Sequence, residues 1–350
     1  MTTANARYSG SFSILSGIGR GRSLSGRMKI PQHQTEESFD LVIAGELNLD
    51  LILLGLPLVM ETERDLLGTG FVSTLGSSSA IVAHNAAMLG LRVRFATLVG
   101  DDDFGRLALD RLNKAGVDTT DALVDPSTTT GVTILLPHDT VRHSLTYLGS
   151  IASLTVEHLN RARLAQARHF HLSSLYLQTG LHAGIVDLLR YLKSAGLSIS
   201  LDSNDDPANL WGYPLYEVLP FVDVFLPNES EICRMAGGCE LHQAIQQIAQ
   251  MVPTIVVKRG RNGCRVWHDG QIADYSGVTV NPVDTIGAGD SFDAGFLCAY
   301  LKGMDIATCA LAGNISGALS TLSTGGTEAF RNRSLRESFL REQGFPILGD

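Results

Sequence analysis

Short apolar segments alternate with segments of helical periodicity through most of the chain. The segments that read as buried strands are rich in β-branched and apolar residues, and they are bounded by polar or Gly positions. They cover residues 39–45, 91–99, 169–173, 197–202, 222–226 and 254–258. Helical spacing is clear between them, for example at residues 183–193. Helices between short apolar strands predict a parallel sheet covered on both faces, and therefore an α/β fold.

Two further segments with strand patterns follow each other without a helix between them, and they predict a β-hairpin. Residues 128–136 and 141–147 read as two strands, and His138 and Asp139 make a plausible turn between them.

The longest apolar helical segment begins at a Gly-rich turn, Asp284-Thr285-Ile286-Gly287-Ala288-Gly289-Asp290-Ser291-Phe292, and runs to Leu301. Apolar residues fill all its faces, so we expect a helix that is buried nearly all round. The exposed working end of such a helix is its N-terminus, where backbone N–H groups are unpaired and the dipole is positive. Gly287 and Gly289 let that backbone approach a ligand closely. The segment therefore predicts a binding site for an anion, most simply a phosphate.

Asp290 lies in the first turn of this predicted helix and has two interpretations. A carboxylate there complements the helix dipole and can serve as a cap. A carboxylate beside an anion site can also act as a general base toward a hydroxyl that attacks a bound phosphoryl group. This stretch alone leaves both interpretations open.

Composition and charge exclude several function classes. The chain has 350 residues, of which 44% are hydrophobic, and its formal net charge is −9. An acidic chain with a pI of about 5.6 lacks the basic face that nucleic-acid binding requires. The five cysteines form no C-x-x-C pair, which argues against a zinc site or disulfides and fits a cytoplasmic location. The most apolar run, residues 47–60, is too short and too polar to span a membrane.

The two ends of the chain differ from the rest. Residues 1–38 contain arginines and serines with no acid before Glu36, which resembles a transit peptide in composition. The simpler interpretation is a disordered basic tail, or an upstream start codon with Met28 as the true start. Residues 331–350 carry four arginines and are predicted to be a solvated C-terminal tail.

Two motifs resemble the signatures of a known family. The stretch Asp284 to Phe292 is similar to the C-terminal signature of the ribokinase family, also called PfkB-type carbohydrate kinases. Residues 100–119, which begin Gly-Asp-Asp-Asp-Phe-Gly-Arg, resemble its N-terminal signature. The three adjacent Asp residues there could bind a divalent metal, but helix capping is the better interpretation. The resemblance covers about residues 39–330. It implies a ribokinase-like fold, with a Rossmann-like three-layer core, a mostly parallel sheet, and a small β-sheet lid from about residues 49–71 and 128–148.

The resemblance assigns the catalytic and sugar-binding residues. Gly287, Ala288 and Gly289 would form the anion hole, and Asp290 would be the catalytic base. On the substrate side the implied residues are Asn48, Asp50, Gly76, Ser77 and Asn85, together with Asp290. Asp50 ends the family's Gly-x-x-Asn-x-Asp pattern and would grip sugar hydroxyls. The family's Gly-Gly-x-x-x-Asn pattern is altered here, since Ser77 replaces the second Gly and Ile81 the Asn. Asn85, one turn later, is the candidate that would compensate.

The resemblance also assigns the nucleotide side. The implied ATP-binding residues are Asn228, Lys258, Gly260, Gly263, Gly289 and Asn314. Glu231 would help to place Mg²⁺ indirectly, and Asp284 would lie near a monovalent cation such as K⁺, as in some family members. Read from the residues alone, Lys258 is equally well explained as a solvated surface lysine.

The predicted function is an ATP-dependent sugar kinase that phosphorylates a hydroxyl of a monosaccharide or related sugar acid. The expected partners are a small-molecule sugar and ATP with Mg²⁺, together with a second copy of the chain through the lid. A nucleoside kinase and a catalytically silent sugar or nucleotide sensor are the alternatives. The sequence does not identify the sugar.

Overall fold

The computed structural model describes residues 38–138 and 141–345. Within those ranges the strands, in chain order, are β1 (Phe39–Ala44), β2 (Leu49–Leu54), β3 (Gly70–Leu75), β4 (Val93–Gly100), β5 (Asp118–Asp125), β6 (Val132–His138), β7 (Val141–Tyr147), β8 (Ala167–Ser173), β9 (Ser198–Asp202), β10 (Val224–Phe225), β11 (Thr254–Lys258), β12 (Cys264–His268) and β13 (Gln271–Tyr275). They form one sheet of nine strands and a separate sheet of four.

The nine-stranded sheet has the order β13-β12-β11-β10-β9-β8-β1-β4-β5. Neighbouring strands from β11 to β5 are parallel, whereas β12 and β13 add an antiparallel edge. The predicted mostly parallel sheet is therefore confirmed. The short apolar pattern does not predict the edge strands β5 and β13 or their partly buried neighbour β12, which lies between β11 and β13.

The helices of four or more residues, in chain order, are α1 (Ser78–Met88), α2 (Asp103–Lys114), α3 (Ser150–Ser153), α4 (Arg161–Leu164), α5 (Ile185–Ser194), α6 (Leu215–Val218), α7 (Glu229–Met235), α8 (Leu241–Ile248), α9 (Ala288–Leu301), α10 (Ile306–Ser320), α11 (Glu328–Arg331) and α12 (Arg333–Glu342). They cover both faces of the large sheet. Leu41 and Ile43 of β1 belong to one core with α1, α9 and α10. Val42 and Ala44 point the other way, into a second core with α5 and α8. The result is the predicted three-layer α/β arrangement.

The four-stranded sheet has the order β3-β2-β6-β7 and lies apart from the large sheet. Strand β2 pairs with β6 in parallel and with β3 antiparallel, and β6 and β7 form the predicted hairpin. The small predicted lid is thus present, although its strand β3 continues to Leu75, beyond the expected limit. Asp139 of the predicted turn lies outside the described residues.

Helix α9 is the element that brings the active-site loop into the centre of the molecule. Every residue from Asp290 to Leu301 is buried, as the sequence predicts. Helix α10 lies closely along it at Gly295, where an added Cβ would come within 2.2 Å of Ser316 Oγ. A side chain in place of that glycine would push α10 away from α9.

The Asp-rich start of α2 is a helix cap. Asp102 accepts hydrogen bonds from the backbone N–H of Gly105 at 2.8 Å and of Thr130 at 2.7 Å. Asp101 and Asp103 both pair with the Arg106 guanidinium, at 2.8 and 2.9 Å. The capping interpretation is therefore confirmed, because these carboxylates already have protein partners.

The prediction of a solvated C-terminal tail is wrong. Helices α11 and α12 pack on α10, and Phe339 and Leu340 are buried in the core that contains α9. Leu335, Phe339 and Leu340 lie toward the core, whereas Arg333 and Arg341 are exposed and Arg336 is partly buried and donates to the carbonyl of Phe330. Residues 1–37 of the predicted basic tail lie outside the described residues. No helix in residues 38–138 and 141–345 is long and apolar enough to cross a membrane.

Candidate active site

A single large cleft of about 1340 Å³ opens between the lid and the carboxyl edge of the large sheet. Its walls come from the inner face of the lid, from the loops after β1, β9, β10 and β11, and from the first turn of α9. Ligands of open parallel sheets gather at this edge, because the loops that follow the strands converge there. The cleft brings together most of the residues that the sequence motifs single out.

The first turn of α9 lies in the cleft, where the sequence predicts an anion site. Gly287 is the residue before the helix and has a left-handed backbone conformation with φ of 70°. An added Cβ there would lie 2.5 Å from Gly326 Cα, so only glycine fits this turn. Gly287, Ala288 and Gly289 all line the cleft. Backbone N–H groups at such a helix start can bind the oxygens of a phosphoryl group.

Asp290 follows directly and is only 8% exposed. Burial, and after it the charge of Asp202, raises the pKa of Asp290 to about 6, although Lys258 acts in the opposite direction. A carboxylate with such a pKa is still ionised at neutral pH and is a stronger base than an ordinary Asp. The position and the pKa both fit a general base.

Asn48 and Asp50 lie on the lid side of the cleft. Asn48 Nδ2 donates to Thr133 Oγ1 of β6 at 3.0 Å, which holds the amide against the lid. Asp50 is 6% exposed. Burial, assisted by the charge of Asp290, raises the pKa of Asp50 to about 7. Gly76 lies directly behind them, because an added Cβ would come within 2.2 Å of Asp50 Oδ1.

Ser77 lines the cleft and caps α1. Its φ of 71° is in the left-handed region, and its Oγ accepts from Ala80 N at 3.2 Å and donates to the carbonyl of Glu46. Glu46 in turn accepts from the Ser79 backbone N–H and hydroxyl at 3.2 and 2.6 Å. Ile81 adds an apolar patch where the family has Asn. The altered motif therefore places an apolar side chain in the cleft wall.

Asn85 does not reach the cleft, and the prediction that it contacts the substrate is wrong. It is fully buried, and its Nδ2 donates to Ser291 Oγ at 2.9 Å and to the carbonyl of Gly326 at 3.0 Å. Its Oδ1 bonds His84 Nδ1 at 2.8 Å. The amide is used entirely within the protein, where it ties α1 to α9 and to the turn at Gly326.

Asn228 and Glu231 form a capping box at the start of α7. Asn228 Oδ1 accepts from Glu231 N at 2.9 Å, while Glu231 Oε2 accepts from Asn228 N at 2.8 Å. Burial, and then the charge of Asp202, raises the pKa of Glu231 to about 7. Both residues line the cleft, and amide and carboxylate oxygens are the ligands that Mg²⁺ prefers. The pair therefore fits an indirect, water-mediated role at a Mg²⁺ site.

The predicted nucleotide-loop residues meet on the other side of the cleft. Gly260 and Gly263 have φ of 54° and 83°, and a Cβ on Gly263 would lie 2.0 Å from the carbonyl oxygen of Tyr275. Asn314 of α10 donates to the carbonyl of Ser276 at 3.1 Å and lines the cleft. These contacts shape the floor beside Gly289.

Lys258 is not a solvated surface lysine. Its Nζ lies 2.6 Å from Asp202 Oδ2 and 3.1 Å from Asp293 Oδ2, and both carboxylates are almost completely buried. Burial alone would lower the pKa of Lys258, but Asp202 and Asp293 outweigh it and hold the pKa above its usual value. The amine is therefore charged and bound to two carboxylates.

Asp284 connects two loops beside the anion site. Its Oδ1 accepts from Ile286 N at 3.0 Å, and its Oδ2 accepts from Gly325 N at 2.9 Å. The carboxylate thereby holds the loop before α9 against the turn after α10.

Several residues that line the cleft, and Asp293 beneath it, have no role in the motif analysis. Asp202 ends β9, and Asp293 lies three residues after Asp290 on the same side of α9. Arg142, Ser144 and Thr146 of β7 line the cleft from the lid. The signals that could have identified them are the position of an acid at a strand end, the i, i+3 spacing on a helix, and the alternation of polar residues along β7.

Comparison with known proteins agrees with this arrangement. The pfkB family carbohydrate kinase profile matches residues 38–333. The ribokinase of Haemophilus influenzae is 25% identical over 307 residues, which cover 86% of this chain and 98% of that protein. The ATP-dependent ribose-1-phosphate kinase of Halopiger xanaduensis is 31% identical, covering 73% of this chain and 82% of its own length.

Solved structures share the fold. The Arabidopsis thaliana ribokinase complexed with ribose and ATP has a TM-score of 0.74 at 21% identity, and the match covers 87% of this chain and 99% of that one. An E. coli structure named ribokinase II, in complex with ATP and Mg²⁺, has a TM-score of 0.77 at 22% identity, with the same coverage. The glycine-rich turn, the buried Asp290 and the lid thus occur in a chain that belongs to the pfkB family of carbohydrate kinases and is a phosphotransferase acting on a sugar or a nucleoside.

Proposed function

We propose that this enzyme transfers the γ-phosphoryl group of ATP to a hydroxyl of a monosaccharide or related sugar acid, with Asp290 as the general base. The observation that carries the proposal is the first turn of α9. It places a buried carboxylate beside the backbone N–H groups of a helix start that lines the same cleft as Asp50. Ribokinase and fructokinase relatives support a sugar as the acceptor.

Each group has a defined task in this reaction. Asp50 and Asn48 orient the sugar by accepting and donating hydrogen bonds to its hydroxyls. Asp290 takes the proton from the attacking hydroxyl, and the backbone from Gly287 to Gly289 stabilises charge on the transferred phosphoryl group. Mg²⁺, when bound with ATP near Asn228 and Glu231, neutralises phosphate charge.

The remaining predicted residues are assigned to ATP binding. Gly260, Gly263 and Asn314 would contact the nucleotide, since they line the cleft on the side of α9 opposite the lid. K⁺ near Asp284 stays a prediction. Its test is the rate in potassium against the same concentration of a choline salt.

The experiment that tests the function is ADP release with Mg²⁺-ATP across a panel of sugars, sugar acids and nucleosides. Asp290→Asn is the variant, and Asp187→Asn is the matched control, because Asp187 lies exposed on α5 and pairs with Arg190. One acceptor should give turnover that Asp290→Asn reduces by roughly 100-fold or more and that the control keeps. Turnover that survives in Asp290→Asn would exclude this residue as the base.

A nucleoside acceptor is the second candidate. A nucleoside kinase of Methanothermobacter thermautotrophicus is 28% identical over 237 residues, and Ile81 adds an apolar surface where the family has a polar amide. Turnover with adenosine or inosine and none with sugars would establish this candidate. Equilibrium binding of an acceptor without ADP production by folded protein would instead indicate a sensor.

The face of the lid that points away from the cleft supports a dimer. Large apolar side chains there are 39–63% exposed, and they are Phe71, Ile134, Val141, Leu145 and Tyr147. Strand register places Ile134 opposite Leu145, on the face opposite to the cleft-lining Arg142 and Ser144. We propose that a second copy covers this face. Analytical ultracentrifugation should show a dimer that Leu145→Glu dissociates, and a monomeric wild-type chain would refute it.

A further inference from the structure

Three ionisable side chains form a buried group directly beneath the anion site, which we call the Lys258 cluster. It consists of Lys258, Asp202 and Asp293. The Lys258 amine lies 2.6 Å from Asp202 Oδ2, 3.1 Å from Asp293 Oδ2 and 3.3 Å from Asp293 Oδ1. The side chains of Asp202 and Asp293 are 1% and 0% exposed, and that of Lys258 is 10% exposed. Charges this deep need partners, because an unpaired buried charge is strongly unfavourable.

The cluster joins three elements at one point. Asp202 is the last residue of β9, Lys258 is the last residue of β11, and Asp293 lies in the second turn of α9. The amine also lies against the first turn of α9, since a Cβ on Gly289 would be 3.5 Å from Lys258 Nζ. The start of α9 is thereby held to the ends of two strands of the large sheet.

The cluster is also the main charged environment of Asp290. Carboxylate oxygens of Asp202, Asp290 and Asp293 all lie within 4.8 Å of one another. Three carboxyl groups at that distance cannot all be ionised in a buried site, and those that are ionised need a cation beside them. The Lys258 ammonium supplies it. The other charged groups that act on Asp290 are Glu46, from the loop after β1, and Asp50 of the lid.

Asp202 and Lys258 act on the pKa of Asp290 in opposite directions. Asp202 raises the pKa of Asp290, and Lys258 lowers it. Burial raises the pKa of Asp293 well above its usual value, and Asp202 adds to this while Lys258 opposes it. Burial is the largest cause of the raised pKa of Asp290, and the opposing charges of Asp202 and Lys258 adjust it from there.

We propose that Lys258 is a positioning residue for the general base: bound by Asp202 and Asp293, its ammonium holds the first turn of α9 in place and keeps the Asp290 carboxylate charged when the acceptor hydroxyl arrives. This inference rests on the proposed function, in which Asp290 is the base. It differs from the ATP contact that the family resemblance implies for Lys258, because the amine is already bonded to two carboxylates.

The test is the pH dependence of kcat/KM for the sugar in three variants. Lys258→Met removes the cation, Asp202→Asn removes the anion, and Lys258→Arg keeps the cation. The matched control is Asp223→Asn, since Asp223 also binds a lysine, Lys193, at 2.7 and 2.8 Å, but outside the cleft. Thermal unfolding of each variant establishes that the protein measured is folded.

The Asp290 part of the acidic limb lies near pH 6, below the part near pH 7 that Asp50 contributes, and its expected shifts have opposite signs. Lys258→Met should move it to higher pH by roughly 1 unit or more, because an opposite charge within a few ångströms lowers a carboxyl pKa by that amount. Asp202→Asn should move it to lower pH. Lys258→Arg should leave it near the wild-type position whatever its kcat, and Asp223→Asn should not move it. A loss of packing alone would lower activity without producing opposite shifts.

Two results would overturn the inference. One is a limb that stays in place in the folded Lys258→Met or Asp202→Asn variant, and the other is a shift of the same sign in both. If only one of the two folds, the sign of its shift decides. The proposed function is tested separately. If the wild-type enzyme turns over and Asp290→Asn does not, the proposed function stands whatever the Lys258 variants show. If Asp290→Asn still turns over, Asp290 is not the base.

Discussion

Gly76→Ala is the sharpest test of the sugar site. Gly76 follows β3, and its backbone N–H donates to the Asn48 carbonyl at 3.0 Å. Its φ lies outside the left-handed region, so alanine is acceptable to the backbone and only the space around it matters. The new methyl would meet Asp50 Oδ1 at 2.2 Å and Asn48 Oδ1 at 2.8 Å. Both predicted sugar-binding side chains are therefore displaced by one methyl group.

The structure sets the size of the effect. Ordinary contacts of a Cβ begin at 3.4 Å, so Asp50 Oδ1 must retreat by about 1.2 Å. A misplacement of about 1 Å in a group that orients the substrate costs on the order of 100-fold in rate, equivalent to about 2.7 kcal/mol of transition-state stabilisation. We expect kcat/KM for the sugar to fall by that factor, while the KM for ATP is unchanged because the nucleotide residues are untouched.

The assay is steady-state ADP release with the sugar varied at saturating Mg²⁺-ATP, and then with ATP varied. Gly212→Ala is the control, because an added Cβ at Gly212 meets nothing within 4 Å and its φ is not left-handed. That variant should behave as wild type. A folded Gly76→Ala enzyme with wild-type kcat/KM for the sugar would refute the argument that Asp50 and Asn48 grip the acceptor.

Three further outcomes follow from the described contacts. The kcat/KM for the sugar should fall as the pH drops through the range from about 7 to about 6, because Asp50 and Asp290 must be ionised and their pKa values are raised to about 7 and about 6. Because Asp50 and Asp290 interact, the two apparent pKa values belong to the pair and not to either residue. A pH profile of kcat/KM with a single acidic limb near pH 4, typical of exposed carboxyls, would contradict this prediction. Glu231→Gln should raise the KM for Mg²⁺-ATP by roughly 10- to 100-fold. Glu217→Gln, at an exposed position outside the cleft, should not, and equal effects would argue against a Mg²⁺ role for Glu231. Leu340→Ala should lower the free energy of unfolding in urea by about 2–5 kcal/mol, and a change within about 0.5 kcal/mol would mean that α12 does not pack on the core.

The sequence alone determines the elements and the anion site. Runs of β-branched and apolar residues predict most strands of the large sheet. A strand that is buried on both faces is apolar at nearly every position, so its pattern is easy to recognise. The turn from Asp284 to Gly289 and the helix after it are contiguous, so the proposed base Asp290 and the proposed anion site can be located from one stretch. The family resemblance then identifies Asn48 and Asp50 as sugar residues, and both line the cleft.

The errors arise where the role of a side chain depends on distant partners. Asn85 is at the right distance from the altered motif to replace a missing amide, yet it bonds Ser291 and Gly326, which are 206 and 241 positions away. The C-terminal arginines resemble a solvated tail, yet Phe339 and Leu340 beside them are buried. Composition alone does not predict a short amphipathic helix, because most residues of such a helix are polar.

Lys258 shows most clearly what only the tertiary structure decided. From the sequence it is either a surface lysine or a phosphate contact, and no local pattern distinguishes the two. The crossover connections bring Asp202 and Asp293, 56 and 35 positions away, to within bonding distance of its amine. The periodicity of apolar residues and the positions of glycines are local properties that can be read directly from the sequence. Burial, charge pairing and pKa depend on which residues the fold brings together, and for this chain they decide how Asp290, the proposed base, is held and charged.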